Sequence, residues 1–227
     1  DLIIDLQNSK RTNFYNLIFK SFSSSIINGN QSSSHIRYKI HKKGEETPRD
    51  GLLRQIKMLN INLKKNDFNW LKCKINFDIG KNLILLIPSV SKSGLKKQWP
   101  VNKFQELAKK LENKGYKICV VGNEADNFVT KSVISYCKNA IDLTGTSPPE
   151  IIYSVAQKSK IIISNDTGPG HVASLSNKNI IWIALNNLTS KVNLGDSLYG
   201  STILSKNLND ITVNTVLNKI SELENNL

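Results

Sequence analysis

An α/β fold built on a parallel sheet is what the 227-residue sequence predicts, on three observations. Short apolar runs such as "LILLIP", "YKICVVG", "KIIISN" and "NIIWIAL" recur from Leu83 onward. Helical patterns of about 10 to 15 residues separate them, the alternation of a sheet with helices on both faces. Several of the runs end in polar, glycine-bearing turns. The densest is "IIISNDTGPGHVASLS", Ile161 to Ser176, and parallel sheets present ligand loops at such strand ends.

Leu2 to Leu6 is expected as a buried strand, Gln7 to Arg11 as a polar turn, and Asn13 to about Phe22 as a helix. Ser23 to His35, rich in Ser, Asn and Gly, is expected as a loop. A helix from about Pro48 to Asn60 would place Leu52, Leu53, Ile56 and Leu59 on one face. After the strand at Leu83, "VNKFQELAKKLENKG" is an amphipathic helix ending at Gly115, the position glycine prefers. There follow the strand "YKICVVG", a helix from about Asp126 to Cys137, the strand "AIDLTG", a helix opening at "SPPEIIYSVAQ", the strand "KIIISN", a helix from about Gly168 and the strand "NIIWIAL".

Residues 81 to 205 thus predict a complete Rossmann-like domain. The closing helix, at about Asp210 to Asn225, either packs on it or crosses back to a neighbour. Residues 1–70 read as the tail of another α/β domain, 71–80 as a linker, and 81–227 as the ligand-binding domain. Because the chain opens on "DLIIDLQ" in mid-strand, it is expected to be a fragment whose first domain has lost its earlier part.

The formal net charge of +13 predicts anionic partners. Nucleic acid fits poorly, since the 31 Lys and Arg are scattered and aromatics, at 7%, do not alternate with them as on a stacking platform. No apolar run approaches the roughly 20 residues of a membrane span, and no signal peptide is recognisable. A cytoplasmic protein is therefore expected. Cys73, Cys119 and Cys137 show no CxxC spacing and read as reduced thiols. No metal site is visible.

Three loops carry candidate chemistry. In "PSVSKSGLKKQWP", Pro88 to Pro100, the hydroxyls of Ser91 and Ser93 and the ammonium of Lys97 could serve a phosphate, although a solvated Lys/Ser loop satisfies the same pattern. In "VVGNEAD", Glu124 or Asp126 could accept hydrogen bonds from ribose hydroxyls, or simply cap a helix. In "NDTGPGH", the backbone after Asp166 and Thr167 opens a helix at Gly168, with His171 in its first turn; an anion is welcome there, and a packing histidine is the alternative.

"NDTGPGHVASL" resembles the Asp-Thr-Gly-Pro-x-His signature of glycosyltransferase family nine, the ADP-heptose:lipopolysaccharide heptosyltransferases. "KQWP" at Lys97 to Pro100, "LTG" at Leu143 to Gly145 and "DLIIDLQ" at Asp1 to Gln7 are similar to further family motifs in the same order. The resemblance implies a GT-B fold, in which residues 1–70 are the end of the N-terminal, acceptor-side domain and 81–227 the donor-binding domain. It implies inverting, metal-independent transfer of heptose from ADP-heptose to an anionic lipopolysaccharide inner-core acceptor, with no cofactor. Ser91, Ser93, Lys97, Asp166, Thr167, Gly168 and His171 would bind the donor diphosphate and sugar, and Glu124 or Asp126 the ribose. Lys10, Arg11 and Arg37 would approach the acceptor, a lipopolysaccharide core on lipid A, supported by Lys39, Lys42, Lys43, Arg49 and Arg54. Gly170 stands where the family often has Met or another larger residue, a departure expected to alter nucleotide packing. The family's Gly-Asp loop, source of its catalytic base, has no counterpart here, so the catalytic residue is placed upstream of Asp1 and this chain is expected to bind donor better than it turns it over. A transferase for another nucleotide-sugar, or a non-catalytic nucleotide- or polyanion-binding domain, are the alternatives.

Overall fold

A computed structural model describes residues 1–39, 47–61, 67–187 and 199–225, together with Ser190 and Leu194. It divides into two compact units, Asp1–Asn66 and Asp67–Leu227.

The first unit holds three short parallel strands in the order β1 (Leu2–Ile4), β2 (Ile26–Gly29), β3 (Ile36–Arg37), with helices α1 (Lys10–Phe22) and α2 (Pro48–Lys57). Ser9 starts α1 through a capping box with Thr12, so the helix begins before the expected Asn13. β2 lies inside the segment expected to be a loop: Ile27 and Asn28 are buried there, and Asn28 donates from Nδ2 to the Ile36 carbonyl at 3.2 Å. The expected burial of the first strand is also corrected. Among the described residues β1 is an edge strand paired only to β2, and it leaves Leu2 and Ile4 exposed. Phe14, Phe19 and Phe22 of α1 are exposed as well.

In α2 the buried positions are Gly51 and Gln55, not the leucines. Gln55 turns inward because it has polar partners there: it accepts from Asn8 Nδ2 at 2.7 Å and donates to the Asp5 carbonyl at 2.9 Å. Asp5 in turn accepts from the backbone of Gln7 and Asn8 and from Asn16. This web satisfies polar groups that burial would otherwise penalise. Lys10 and Arg11 sit exposed at the start of α1, and Arg37 donates from Nε to the Asn30 carbonyl. Lys42 and Lys43 lie outside the described residues.

The second unit is built on a six-stranded, wholly parallel sheet in the order β6-β5-β4-β7-β8-β9. The strands are β4 (Leu83–Ile87), β5 (Lys117–Gly122), β6 (Ile141–Thr144), β7 (Ile161–Asn165), β8 (Ile180–Leu185) and β9 (Gly200–Ser205). Counted from β4, this is the 3-2-1-4-5-6 order of the doubly wound fold, and the winding reverses between β4 and β7. Along β4 every residue is buried, with Ile84 and Leu86 facing one core and Leu83, Leu85 and Ile87 the other. That period of two is the mark of a strand covered on both sides.

On the first face, α3 (Val101–Asn113) inserts Phe104, Leu107, Ala108 and Leu111, an i, i+3, i+4, i+7 stripe. α4 (Asn127–Ile134) adds Val133, and α7 (Val213–Asn225) adds Val213, Val216 and Ile220. The closing helix therefore packs on the second unit's own core. On the opposite face, α5 (Pro149–Lys158) contributes Ile152, Val155 and Ala156, and α6 (Gly168–Ser174) contributes Ala173. The stretch 71–80, expected as a linker, also belongs to this unit: Ile79 is buried in the second core, and the Cys73 N–H donates to Ser154 Oγ at 2.8 Å.

Candidate functional site

In doubly wound sheets ligands gather at the carboxyl ends of the strands flanking the reversal. Here those ends are Pro88, after β4, and Asn165, the last residue of β7, with Asp166 following it. Asn165 is fully buried and fastens them: its Nδ2 donates to the Pro88 carbonyl at 2.7 Å and its Oδ1 accepts from the Trp99 N–H at 3.0 Å. Trp99, also fully buried, donates from Nε1 to the Ile211 carbonyl at 3.0 Å and packs edge-on against Phe104. The backbone beside Lys97 is thereby fixed.

Lys97 Nζ lies 2.8 Å from Asp166 Oδ2, and His171 Nε2 lies 3.4 Å from Asp166 Oδ1. The Asp166 side chain is 5% exposed, against 40% for Lys97 and 44% for His171, so a buried carboxylate holds two half-exposed nitrogen groups at the reversal point. The His171 hydrogen bond and then Lys97 keep the Asp166 carboxyl below the ordinary carboxylate range, against burial, which acts the other way. An ammonium has three donors, so Lys97 keeps donors for an anion.

Thr167 and Gly168 open α6, and His171 N–H donates to the Thr167 carbonyl. Thr167 makes no side-chain capping bond, and a Cβ on Gly168 would meet nothing. Asp166, Thr167, Gly168, His171 and Lys97 are thus gathered as expected. Ser91 and Ser93 are not shown joined to that cluster: both are exposed, with their hydroxyls 3.1 Å from each other. Gly170 faces inward, where a Cβ would meet Ser164 Oγ at 2.3 Å and the Trp182 ring at 2.6 Å. Its glycine therefore serves the packing of α6 on the sheet.

The two acids after β5 part company. Asp126 accepts from the Asn123 N–H in a capping box. Glu124 is exposed and lies over Gly145, whose φ of +72° and whose missing Cβ, which would stand 2.3 Å from Glu124 Oε2, make room for it. On the ribose role that the family resemblance implies, Glu124→Gln should lower nucleotide affinity about tenfold, the loss of one charge-assisted hydrogen bond, without changing the melting temperature. Asp126→Ala should do the reverse, costing about 1 kcal/mol of stability as a lost cap. Calorimetric titration with ADP alongside thermal melts separates the two.

Cysteine chemistry has little footing. Burial first, then Asp142, pushes the Cys119 thiol up to about 12, and burial with Glu112 pushes Cys137 up to about 11. Among the described residues, no group of three or more His, Cys, Asp or Glu is placed to hold a metal ion, and no helix is long and apolar enough to cross a membrane. Sequence reasoning passed over Asn165, Trp99 and Trp182. The first two stand inside recognised motifs, and a polar residue closing a strand that opens on three isoleucines was the available signal.

Fold and site together define a doubly wound α/β protein with a charged, fastened ligand end at its strand reversal. The family model of glycosyltransferase family 9 (heptosyltransferase) matches residues 51–195. The chain belongs to that family. It is 30% identical over 105 residues to lipooligosaccharide heptosyltransferase 2 of Haemophilus ducreyi, a match covering 43% of this chain and 29% of that protein. Among solved structures it resembles E. coli ADP-heptose LPS heptosyltransferase II, with TM-score 0.73 and 16% identity over 98% of this chain and 75% of that one. It also resembles E. coli heptosyltransferase WaaC with ADP, with TM-score 0.76 and 17% identity over 98% and 72%. These likenesses are of fold, the α/β architecture of GT-B heptosyltransferases with parallel, Rossmann-like sheets.

Proposed function

We propose that the second unit binds ADP-heptose at the β4/β7 reversal and serves the transfer of heptose to an anionic lipopolysaccharide inner-core acceptor, by an inverting, metal-independent route. The carrying observation is the Lys97–Asp166–His171 cluster, in a chain of the heptosyltransferase family. The acceptor hydroxyl passes its proton to a general base as its oxygen bonds to the anomeric carbon, the bond from that carbon to the phosphate oxygen breaks, and ADP leaves with the electron pair. The charge growing on the diphosphate needs fixed donors. Lys97 and His171 supply them, with Ser91 and Ser93 within the same loop system and the backbone of Thr167 and Gly168 beside them. Asp166 has both oxygens engaged and a charge that repels phosphate; in this reading it holds Lys97 and His171 in place rather than touching the diphosphate. Glu124 takes the ribose. Lys10, Arg11 and Arg37 of the first unit face the acceptor, and the protein works at the cytoplasmic surface of the inner membrane without a cofactor.

Calorimetric titration with ADP-heptose, ADP, GDP-mannose and UDP-glucose tests the donor reading. The expected result is selective binding of ADP and ADP-heptose that persists as salt is raised. Equal binding across the set with steep salt dependence would mark a general polyanion binder, and no binding by a folded chain would overturn the assignment.

A further inference from the structure

His171 stands on an aromatic floor. Trp182, on β8, faces the α5/α6 side of the sheet and is almost wholly buried, and its ring centroid lies 5.0 Å from that of His171 at an interplanar angle of 41°. That separation is within the range of attractive aromatic pairs. The close approach rests on Gly170: a Cβ there would stand 2.6 Å from Trp182 Cζ3, 3.0 Å from Cη2 and 2.3 Å from Ser164 Oγ. The serine hydroxyl can rotate away, but the indole is enclosed by core. Trp182 also buries an Nε1–H with no partner among the described residues, a donor that phenylalanine would not carry. The ring, not its polar atom, is therefore what the position uses.

We propose that Trp182 is a positioning residue: its indole sets the imidazole of His171 against Asp166, in a packing that requires glycine at position 170. Without the floor, a side chain that is 44% exposed and held by a single 3.4 Å contact has other rotamers open to it. The floor and the carboxylate together leave it one orientation. The inference rests on the donor-site reading only for its effect on nucleotide affinity; the placement of the ring is independent of it.

The test uses the full chain with isotopically labelled histidine. His171 is assigned among the three histidines by loss of its signals in His171→Gln. In Trp182→Leu, the His171 ring resonances should move as the indole ring current disappears, and ADP affinity should fall about tenfold, the weight of one charge-assisted hydrogen bond. Trp182→Phe, which keeps an aromatic floor, should hold ADP affinity within about threefold of the parent, a difference of less than one such bond. Should Trp182→Leu fail to fold, Gly170→Ala decides, because its methyl must displace the indole and carry the His171 resonances with it. Unmoved His171 resonances in folded Trp182→Leu or Gly170→Ala overturn the proposal, as does full ADP affinity in Trp182→Leu when His171→Ala has lost it. If His171→Ala binds ADP like the parent while Trp182→Leu still moves the resonances, the floor stands and the role of His171 in donor binding falls.

Discussion

Asp166→Ala is expected to abolish selective ADP binding, weakening it about 100-fold or more. The carboxylate orients two donors, and each charge-assisted hydrogen bond that becomes disordered costs about 1.5–3 kcal/mol. Asp166→Asn keeps the shape but removes the charge, and should lose about one such bond's worth, near tenfold. The same residue shapes acid stability. Because its carboxyl is held below the ordinary range when folded, its contribution is complete above the unfolded value of about 3.9 and is lost as pH falls through the lower folded value. Melting temperature plotted against pH should therefore drop more shallowly on the acid side in Asp166→Asn than in the parent. ADP binding by Asp166→Ala within threefold of the parent would refute the role of the cluster.

Trp99→Ala carries the largest expected loss of stability, about 3–5 kcal/mol, as for other large aromatic truncations in a core, or on the order of 10 °C in melting temperature. The indole touches both the α3 core and the segment leading into α7, and its removal leaves a cavity beside Phe104. Trp99→Phe should cost only about 1 kcal/mol, the net worth of one hydrogen bond, because the Ile211 carbonyl still accepts from Lys103 at 2.8 Å. The functional consequence follows from the backbone. Trp99 N–H is tied to Asn165, so loosening it frees the loop that carries Lys97. ADP affinity in Trp99→Ala should fall even well below its melting temperature, which titration at low temperature would check.

The second unit was largely legible because its central strands are mostly apolar and its helices carry regular stripes. Leu83–Ile87 and Phe104 to Leu111 announce their partners by period alone. β9 escaped because "GSTILS" lies at a sheet edge, buries only Ile203 and carries little apolar signal. β2 escaped because its two isoleucines sit in a serine- and asparagine-rich stretch, and the burial of Asn28 is allowed by a hydrogen bond that only tertiary structure supplies. Gln55 reversed the expected face of α2 for the same reason. At the site, the motifs pointed to Asp166, Lys97 and His171, but the ion pair needs the register of β4 on β7, with Ile87 opposite Ser164. Gly170 and Trp182 lie on different elements, and their contact has no local signature.

The placement of the tryptophans gives the protein an internal optical division. Trp70, Trp99 and Trp182 are the chain's three indoles, and all belong to the second unit. Trp70 is 77% exposed, whereas the other two are sealed in separate cores on opposite faces of the sheet. Indole emission is thus blind to the first unit, whose described aromatic side chains are phenylalanine and tyrosine. A soluble quencher will extinguish the red-shifted light of Trp70 first and leave a blue-shifted remainder from the two interiors. That remainder reports on the integrity of the two cores of the second unit alone.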